Sequence, residues 1–262
     1  MADLNAILSN LVAAVSLTPH TLVAAGLSIL ASAFLRGFTG FGFALAAVPL
    51  LGLCMPASQA VPVAVCLQFF IGMLDLPRAA PHGHWPSLRW LIIGAAIGSP
   101  AGALALSIVP ASIARLLIAT ITLAAVVTLN ASSRLERLPS RSLTTGVGLL
   151  CGLFNGLAAM PGPPVIIYYA SGPFGRVAAR ASLLVFFLVA SALAMISTVW
   201  VGLLDRNSLL LTLLALPIML AGTWAGEQAF RRGSDALHRQ VSIASLGLIA
   251  IGSAIKGVSE LM

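Results

Sequence analysis

Long apolar runs alternate with short polar gaps along most of the chain. Six runs have the length of one membrane crossing, because about 20 helical residues span the roughly 30 Å of hydrocarbon in a bilayer. They lie at about 57–76, 89–109, 112–130, 178–204, 208–228 and 237–257. Two further apolar stretches, about 21–54 and 143–172, are too long for one straight crossing. The pattern predicts an all-α polytopic membrane protein.

Glycine- and proline-rich breaks interrupt the two longer stretches. The first break reads Arg36-Gly37-Phe38-Thr39-Gly40-Phe41-Gly42, and the second runs from Gly152 through Asn155 and Gly156 to Met160-Pro161-Gly162-Pro163-Pro164. Backbone groups freed by a break cost several kcal/mol each in lipid, so a break survives only inside protein or beside a polar cavity. Each half-segment has roughly 12–16 residues, which is short of a full crossing. We therefore expect two hairpins with tips inside the bilayer, and paired breaks of this kind point to a binding site.

The two halves of the chain repeat a common order. Gly98-x-x-x-Gly102 corresponds to Gly222-x-x-x-Gly226, and Arg115 corresponds to Arg239. At the two breaks, Pro49 corresponds to Pro164. We predict an N-terminal repeat over 1–135 and a C-terminal repeat over 136–262, each with one broken hairpin and three crossings. Four-residue glycine spacing is typical of close helix packing, with dimerisation as the alternative.

The charges help to choose between two orientations of the repeats. The chain is 59% hydrophobic and 8% charged, with a net charge of +7. The basic residues lie in the polar gaps and form no nucleic-acid surface. With hairpins, ten of them fall on one face and three on the other, whereas single bent crossings give seven against six. The positive-inside rule thus favours inverted repeats with both termini outside.

An anion site is the chemistry that these breaks support. Arg36 would coordinate the anion, and the half-helices that start after each break would turn electropositive N-termini toward it. The candidate substrate-binding residues are Arg36, Gly37, Thr39, Gly40, Phe41, Gly42, Gln68, Asn155, Gly156, Gly162, Pro163, Tyr168 and Arg180. The alternatives are that Arg36 snorkels or pairs with a structural carboxylate, and that Thr39 and Asn155 only cap helices.

The remaining acidic residues and cysteines suggest little further chemistry. For Asp75 and Glu227 we expect interfacial ion pairs with nearby arginines, with proton coupling as the alternative. The three cysteines have neither metal-ligand nor disulfide spacing. No hydrolase motif or phosphate loop is present, so we expect no enzyme, no metal and no cofactor.

The segments Gly-Phe-Thr-Gly-Phe-Gly-Phe-Ala-Leu-Ala-Ala-Val-Pro (37–49) and Gly-Pro-Pro-Val-Ile-Ile-Tyr (162–168) resemble those of the TauE/SafE family of membrane transporters. The stretch Arg180-Ala-Ser-Leu with Phe186 and Phe187 is also similar, and the resemblance extends over about 22–256. It implies a multi-pass carrier in the bacterial inner membrane that moves sulfite, sulfonates, sulfoacetate or other organic anions. Many members have glycines where this chain has Leu157–Met160.

The sequence therefore predicts a secondary transporter of small organic or sulfur-containing anions that works by alternating access. A passive anion channel is the alternative, and a membrane scaffold without transport is a third. Its expected partners are a small anion and the lipid bilayer. Coupling to protons or sodium ions and a homodimeric state are left open.

Overall fold

The computed structural model describes residues 18–39, 42–110 and 138–232, and parts of 112–121. All regular structure in these residues is helical. The helices are α1 (Pro19–Thr39), α2 (Phe43–Gly52), α3 (Ala57–Ala79), α4 (Trp85–Ile108), α5 (Arg141–Ala158), α6 (Gly162–Ser171), α7 (Arg176–Trp200) and α8 (Arg206–Arg232). A short 3₁₀ helix, Ala80–His82, links α3 to α4, and short helical pieces occur within 112–121.

Five helices in the described part of the chain are long and apolar enough to cross a membrane: α1, α3, α4, α7 and α8. Four of the six predicted crossings are thereby confirmed, those near 57–76, 89–109, 178–204 and 208–228. The crossing near 237–257, and most of the one near 112–130, lie outside the described residues. The chain is a multi-pass membrane protein.

Each broken stretch folds back as a hairpin. The hydroxyl of Thr144, near the start of α5, lies 3.1 Å from that of Tyr168, near the end of α6, so α6 runs back along α5. In the first half, Ala33 of α1 shares a hydrophobic cluster with Phe43 and Ala47 of α2. The second arms, α2 and α6, have ten residues each, or about 15 Å of helix, which is half a crossing.

The arms of the hairpins are less equal than the sequence predicted. The first arms, α1 and α5, have 21 and 18 residues, so the expected 12–16 residues was wrong for both. Helix α1 continues through Gly37 because Gly37 packs directly on α8, and this contact offsets the low helix propensity of glycine. Pro49 and Pro164 are also not equivalent, since Pro164 lies in the first turn of α6 and Pro49 deep within α2.

Glycines bring α4 and α5 into backbone contact. A side chain added at Gly94, Gly98 or Gly102 would overlap the backbone of α5, and one at Gly148 or Gly156 would overlap that of α4. Successive glycines of α4 meet successive residues of α5, so the two helices run parallel. This close approach makes α4 and α5 the most extensive helix pair of the described structure.

Helices α1 and α8 make the same kind of contact. Here the hairpin arm, α1, belongs to the first half of the chain and its partner, α8, to the second. A side chain at Gly37 would overlap the carbonyl of Thr223, and one at Gly226 would overlap that of Phe34. These helices form the second most extensive pair, and they also run parallel. Both four-residue glycine pairs thus serve close packing within the chain, as the first interpretation of their spacing predicted.

Helices α3 and α7 cross at the centre of the molecule in opposite directions. Gly72 of α3 packs on Leu188 of α7, whereas the backbone N–H of His84, just beyond α3, donates to the Ser182 hydroxyl at 2.8 Å. Later residues on the α3 side therefore meet earlier residues of α7. This central pair forms the walls between the two hairpins.

The glycine contacts predict opposite effects for two substitutions on one helix. Gly148→Ala should destabilise the protein by about 1–3 kcal/mol, because the new methyl group overlaps the Leu91 carbonyl. Gly146→Ala is the matched control, because its methyl group meets nothing within 4 Å, and it should be neutral or stabilising by up to about 1 kcal/mol. Thermal unfolding of the purified variants in detergent measures both, and equal Tm values would contradict the packing.

Candidate substrate-binding cavity

The two breaks meet in one cavity between α3 and α7. About 510 Å³ of empty space lies between the lining residues, and part of this space is open to the surface. Its lining residues are Arg36, Gly42, Phe43, Ala44, Leu45, Gln68, Ile71, Gly72, Asp75, Ala159, Met160, Pro161, Gly162, Ile166, Leu184 and Phe187. Residues from both hairpins and from both central helices therefore face the same space.

An ion pair marks one end of the cavity. The Arg36 guanidinium contacts the Asp75 carboxylate, and their side chains are 10% and 28% exposed. The expectation that Asp75 pairs at an interface with its neighbour Arg78 was wrong, because the arginine from α1 takes that place. A buried arginine is costly without a partner, so Asp75 is what holds this charge at the cavity in the observed state.

The ion pair lies toward the ends of its helices. Arg36 is in the last turn of α1, and Asp75 is about one turn before the end of α3. The cavity continues from there to Gln68, near the middle of α3. The charged end of the cavity thus lies close to these helix ends.

The starts of the two half-helices both face the cavity, but they offer different chemistry. Helix α2 begins after Gly42, which has no side chain to cap it, and Gly42, Phe43 and Ala44 line the cavity, so this N-terminus can attract an anion. Helix α6 begins at Gly162 and continues with Pro163 and Pro164, which carry no N–H. The electropositive end of the cavity is therefore formed mainly by the N-terminus of α2 and by Arg36.

The rest of the lining is largely apolar. Phe43 and Ile71 come from the first half of the chain, and Ile166, Leu184 and Phe187 from the second. Gln68 adds one neutral polar side chain, which is 9% exposed. This arrangement can hold an anion whose charged group meets Arg36 while a hydrocarbon part contacts the walls.

Of the predicted site residues, Arg36, Gly42, Gln68 and Gly162 line the cavity. Gly37 and Gly156 lie in the helix contacts described above, and Arg180 is exposed. Thr39 ends α1, whereas Gly40 and Phe41 lie outside the described residues. Pro163 is buried in the first turn of α6 without lining the cavity.

Asn155 and Tyr168 have partners elsewhere in the packed interior. The Asn155 amide donates to the Ala190 carbonyl at 2.6 Å, which ties α5 to α7, and the Tyr168 hydroxyl contacts Thr144. The neighbouring Tyr169 hydroxyl lies 2.8 Å from the Ser87 hydroxyl. These polar groups fasten the second hairpin to α4 and α7, and none of them lines the cavity.

Sequence reasoning missed the second-half wall of the cavity. Leu184 and Phe187 line it, but apolar residues in an apolar helix give no signal of which face they present. For Asp75 the sequence did indicate an ion pair, but the predicted partner was an arginine nearby in the sequence. An acidic residue inside a candidate membrane span requires a partner, and its partner need not be the nearest arginine in sequence.

A known family of membrane proteins matches most of the chain. The family described as "Sulfite exporter TauE/SafE" matches residues 24–253, which is most of the chain and includes both breaks and the whole described cavity. The chain belongs to the TauE/SafE family. The resemblance noted at the two breaks is confirmed, and membership in a family of exporters makes this chain a transport protein and not an enzyme.

One relative of this TauE/SafE family member is a protein of Cupriavidus necator named "Probable sulfite/organosulfonate exporter TauE". The two are 27% identical over 234 residues, which cover 86% of this chain and 90% of the relative. No solved structure matches the chain significantly.

The backbone conformation at the two breaks predicts opposite effects on protein stability for two substitutions. Gly42 has φ +86°, which favours glycine, whereas Ala159 holds φ 55° at the end of α5. Gly42→Ala should destabilise the protein by about 1–2 kcal/mol, and Ala159→Gly should stabilise it by up to about 1 kcal/mol. Thermal unfolding measures both effects, and a stabilising Gly42→Ala would contradict the observed break.

Proposed function

We propose that this chain is a secondary transporter of small organic or sulfur-containing anions in the bacterial inner membrane. The observation that carries the proposal is the shared cavity, in which both helix breaks face one buried arginine. A cation and a free helix N-terminus at one end of an apolar cavity form an anion site. The printed names of the family and of the Cupriavidus necator protein support the same class of cargo.

The lining favours an anion with a hydrocarbon part. Sulfite offers only polar oxygens to the side chains of Phe43, Ile166 and Phe187, whereas a short sulfonate or carboxylate has methylene groups to bury there. Each buried methylene group contributes about 0.8 kcal/mol. We therefore rank short organosulfonates above sulfite as substrates of this chain.

Alternating access is supported by packing on one side of the cavity. Leu45, Ala159 and Met160 line the cavity and also belong to a hydrophobic cluster. That cluster extends to Val61 near the start of α3 and to Leu106 near the end of α4, and the partly buried Leu35 also packs against it. A cavity that ends in solid packing fits a carrier, whereas a passive channel needs a continuous path.

We propose that the two halves are inverted repeats, each with one hairpin and three crossings. A hairpin and three crossings make an odd number of passes, so the two halves take opposite orientations, and the antiparallel run of α3 and α7 fits this. The Arg36–Asp75 end of the cavity then lies on the face that carries Arg78 and Arg89. The positive-inside rule assigns this basic face to the cytoplasm, from which an exporter loads its substrate.

Loss of Arg36 should abolish transport. Arg36→Ala alone leaves the Asp75 carboxylate unpaired, so the double variant Arg36→Ala/Asp75→Asn tests the cation without that penalty. We expect its flux of ethanesulfonate in proteoliposomes to fall at least about tenfold, the loss expected when one charge-assisted contact is removed.

Arg180→Ala is the control, because Arg180 is exposed and does not line the cavity. Its flux should equal that of the unsubstituted protein. Unchanged flux in the double variant would remove Arg36 from the site. Flux that does not saturate with substrate and does not respond to any imposed ion gradient would favour the passive channel instead.

A further inference from the structure

The cation of the proposed anion site is already bound to an anion of the chain itself. Arg36 and Asp75 are the only charged residues among the described residues that line the cavity, and they contact each other. The Arg36 side chain is largely buried, at 10% exposed, whereas that of Asp75 is partly exposed, at 28%. A substrate that enters the cavity therefore meets a neutralised guanidinium.

A substrate anion and the Asp75 carboxylate compete for the same guanidinium. Two negative charges beside one positive charge leave a net negative charge in a poorly hydrated space, which is unfavourable. Protonation of Asp75 removes its charge and leaves Arg36 to the substrate. Substrate binding and proton binding at Asp75 therefore favour each other.

We propose that Asp75 is the proton-coupling residue of this transporter, and that each anion binds to Arg36 together with one proton on Asp75. This inference rests on the proposed anion transport and names the coupling ion of the same site. The anion and the proton would move in the same direction. Asp75 competes with the substrate when ionised and yields Arg36 to it when protonated.

The surroundings of Asp75 leave few other groups to carry the proton. Helix α2 has no titratable residue, and the residues of α6 and α7 that line the cavity are apolar or glycine. On its own helix the next charge is Arg78, with His82 and His84 just beyond the end of that helix, and Glu227 on α8 is exposed. None of these four residues lines the cavity, so Asp75 is the acid that contacts Arg36.

A purely structural ion pair is the competing explanation. In that case Asp75 only fastens α1 to α3, and anion binding takes up no proton. The two explanations differ in the pH dependence of binding. Protein stability does not separate them, because loss of Asp75 weakens the fold in both.

The test is calorimetric binding of ethanesulfonate to the purified full-length protein. This sulfonate stays ionised throughout the range studied, so any pH effect belongs to the protein. We expect binding at least about tenfold tighter at pH 5.5 than at pH 8, because uptake of one proton changes affinity by up to about tenfold per pH unit. Titrations in buffers of different ionisation enthalpy should give about one proton taken up per anion.

Two variants complete the test. Asp75→Asn should bind ethanesulfonate with less than a twofold difference between the two pH values and without proton uptake. Asp75→Glu keeps a carboxyl group and should retain the pH dependence. If Asp75→Asn keeps the proton uptake of the unsubstituted protein, another group carries the proton and the inference is wrong.

The outcomes separate this inference from the proposed function. Equal binding at both pH values, with no proton uptake, overturns the role of Asp75 but leaves the anion site standing. No binding of ethanesulfonate at either pH, together with no flux of it in proteoliposomes, overturns both for organosulfonates. If Asp75→Asn fails to fold, the inference can still be refuted, because an absence of proton uptake by the unsubstituted protein overturns it.

Discussion

Backbone N–H and C=O groups inside a bilayer need partners, and this requirement governs the structure around both helix breaks. A chain that stops two helices within the membrane must surround the loose ends with protein or with a polar cavity. Here both solutions occur. Long first arms, α1 and α5, pack along neighbouring helices through glycines, while the starts of α2 and α6 turn to a common cavity. The cavity is thus a consequence of where the breaks are buried.

The two halves have similar helix contacts, but they bring different charges to the cavity. The glycine contacts of α4 with α5 recur between α8 and α1, which gives each hairpin a rigid support. Only the first hairpin brings an arginine to the cavity, and the prolines at the start of α6 leave it fewer backbone N–H groups than the start of α2 has. This asymmetry is why we propose the anion-binding position near Arg36. The second hairpin contributes apolar walls and the packed side of the cavity.

Much of this fold could be predicted from the sequence, because apolar length and glycine breaks act locally. The crossings near 57–76, 89–109, 178–204 and 208–228, both hairpins and the family were predictable in this way. The partner of Asp75 was not, since Arg36 is distant in sequence and only tertiary packing brings it near. Cavity-lining Leu184 and Phe187 were equally hidden, because a helix that is apolar on all sides gives no sign of which face is inward. Gly37 and Gly156 were predicted to bind substrate, whereas they pack against neighbouring helices. The sequence could not separate these roles, because glycine permits close approach of the backbone both to a ligand and to another helix.

The central claim is that an anion binds to Arg36 between the two helix breaks. A crystal structure of the full chain with 2-bromoethanesulfonate tests it most directly, because the bromine can be located by its anomalous signal. The account predicts sulfonate oxygens within hydrogen-bonding distance of the Arg36 guanidinium, the bromine against the apolar wall near Phe187, and Asp75 no longer paired with Arg36. Bromine density only at other places, with the Arg36–Asp75 pair intact and the cavity empty at saturating ligand, would contradict it.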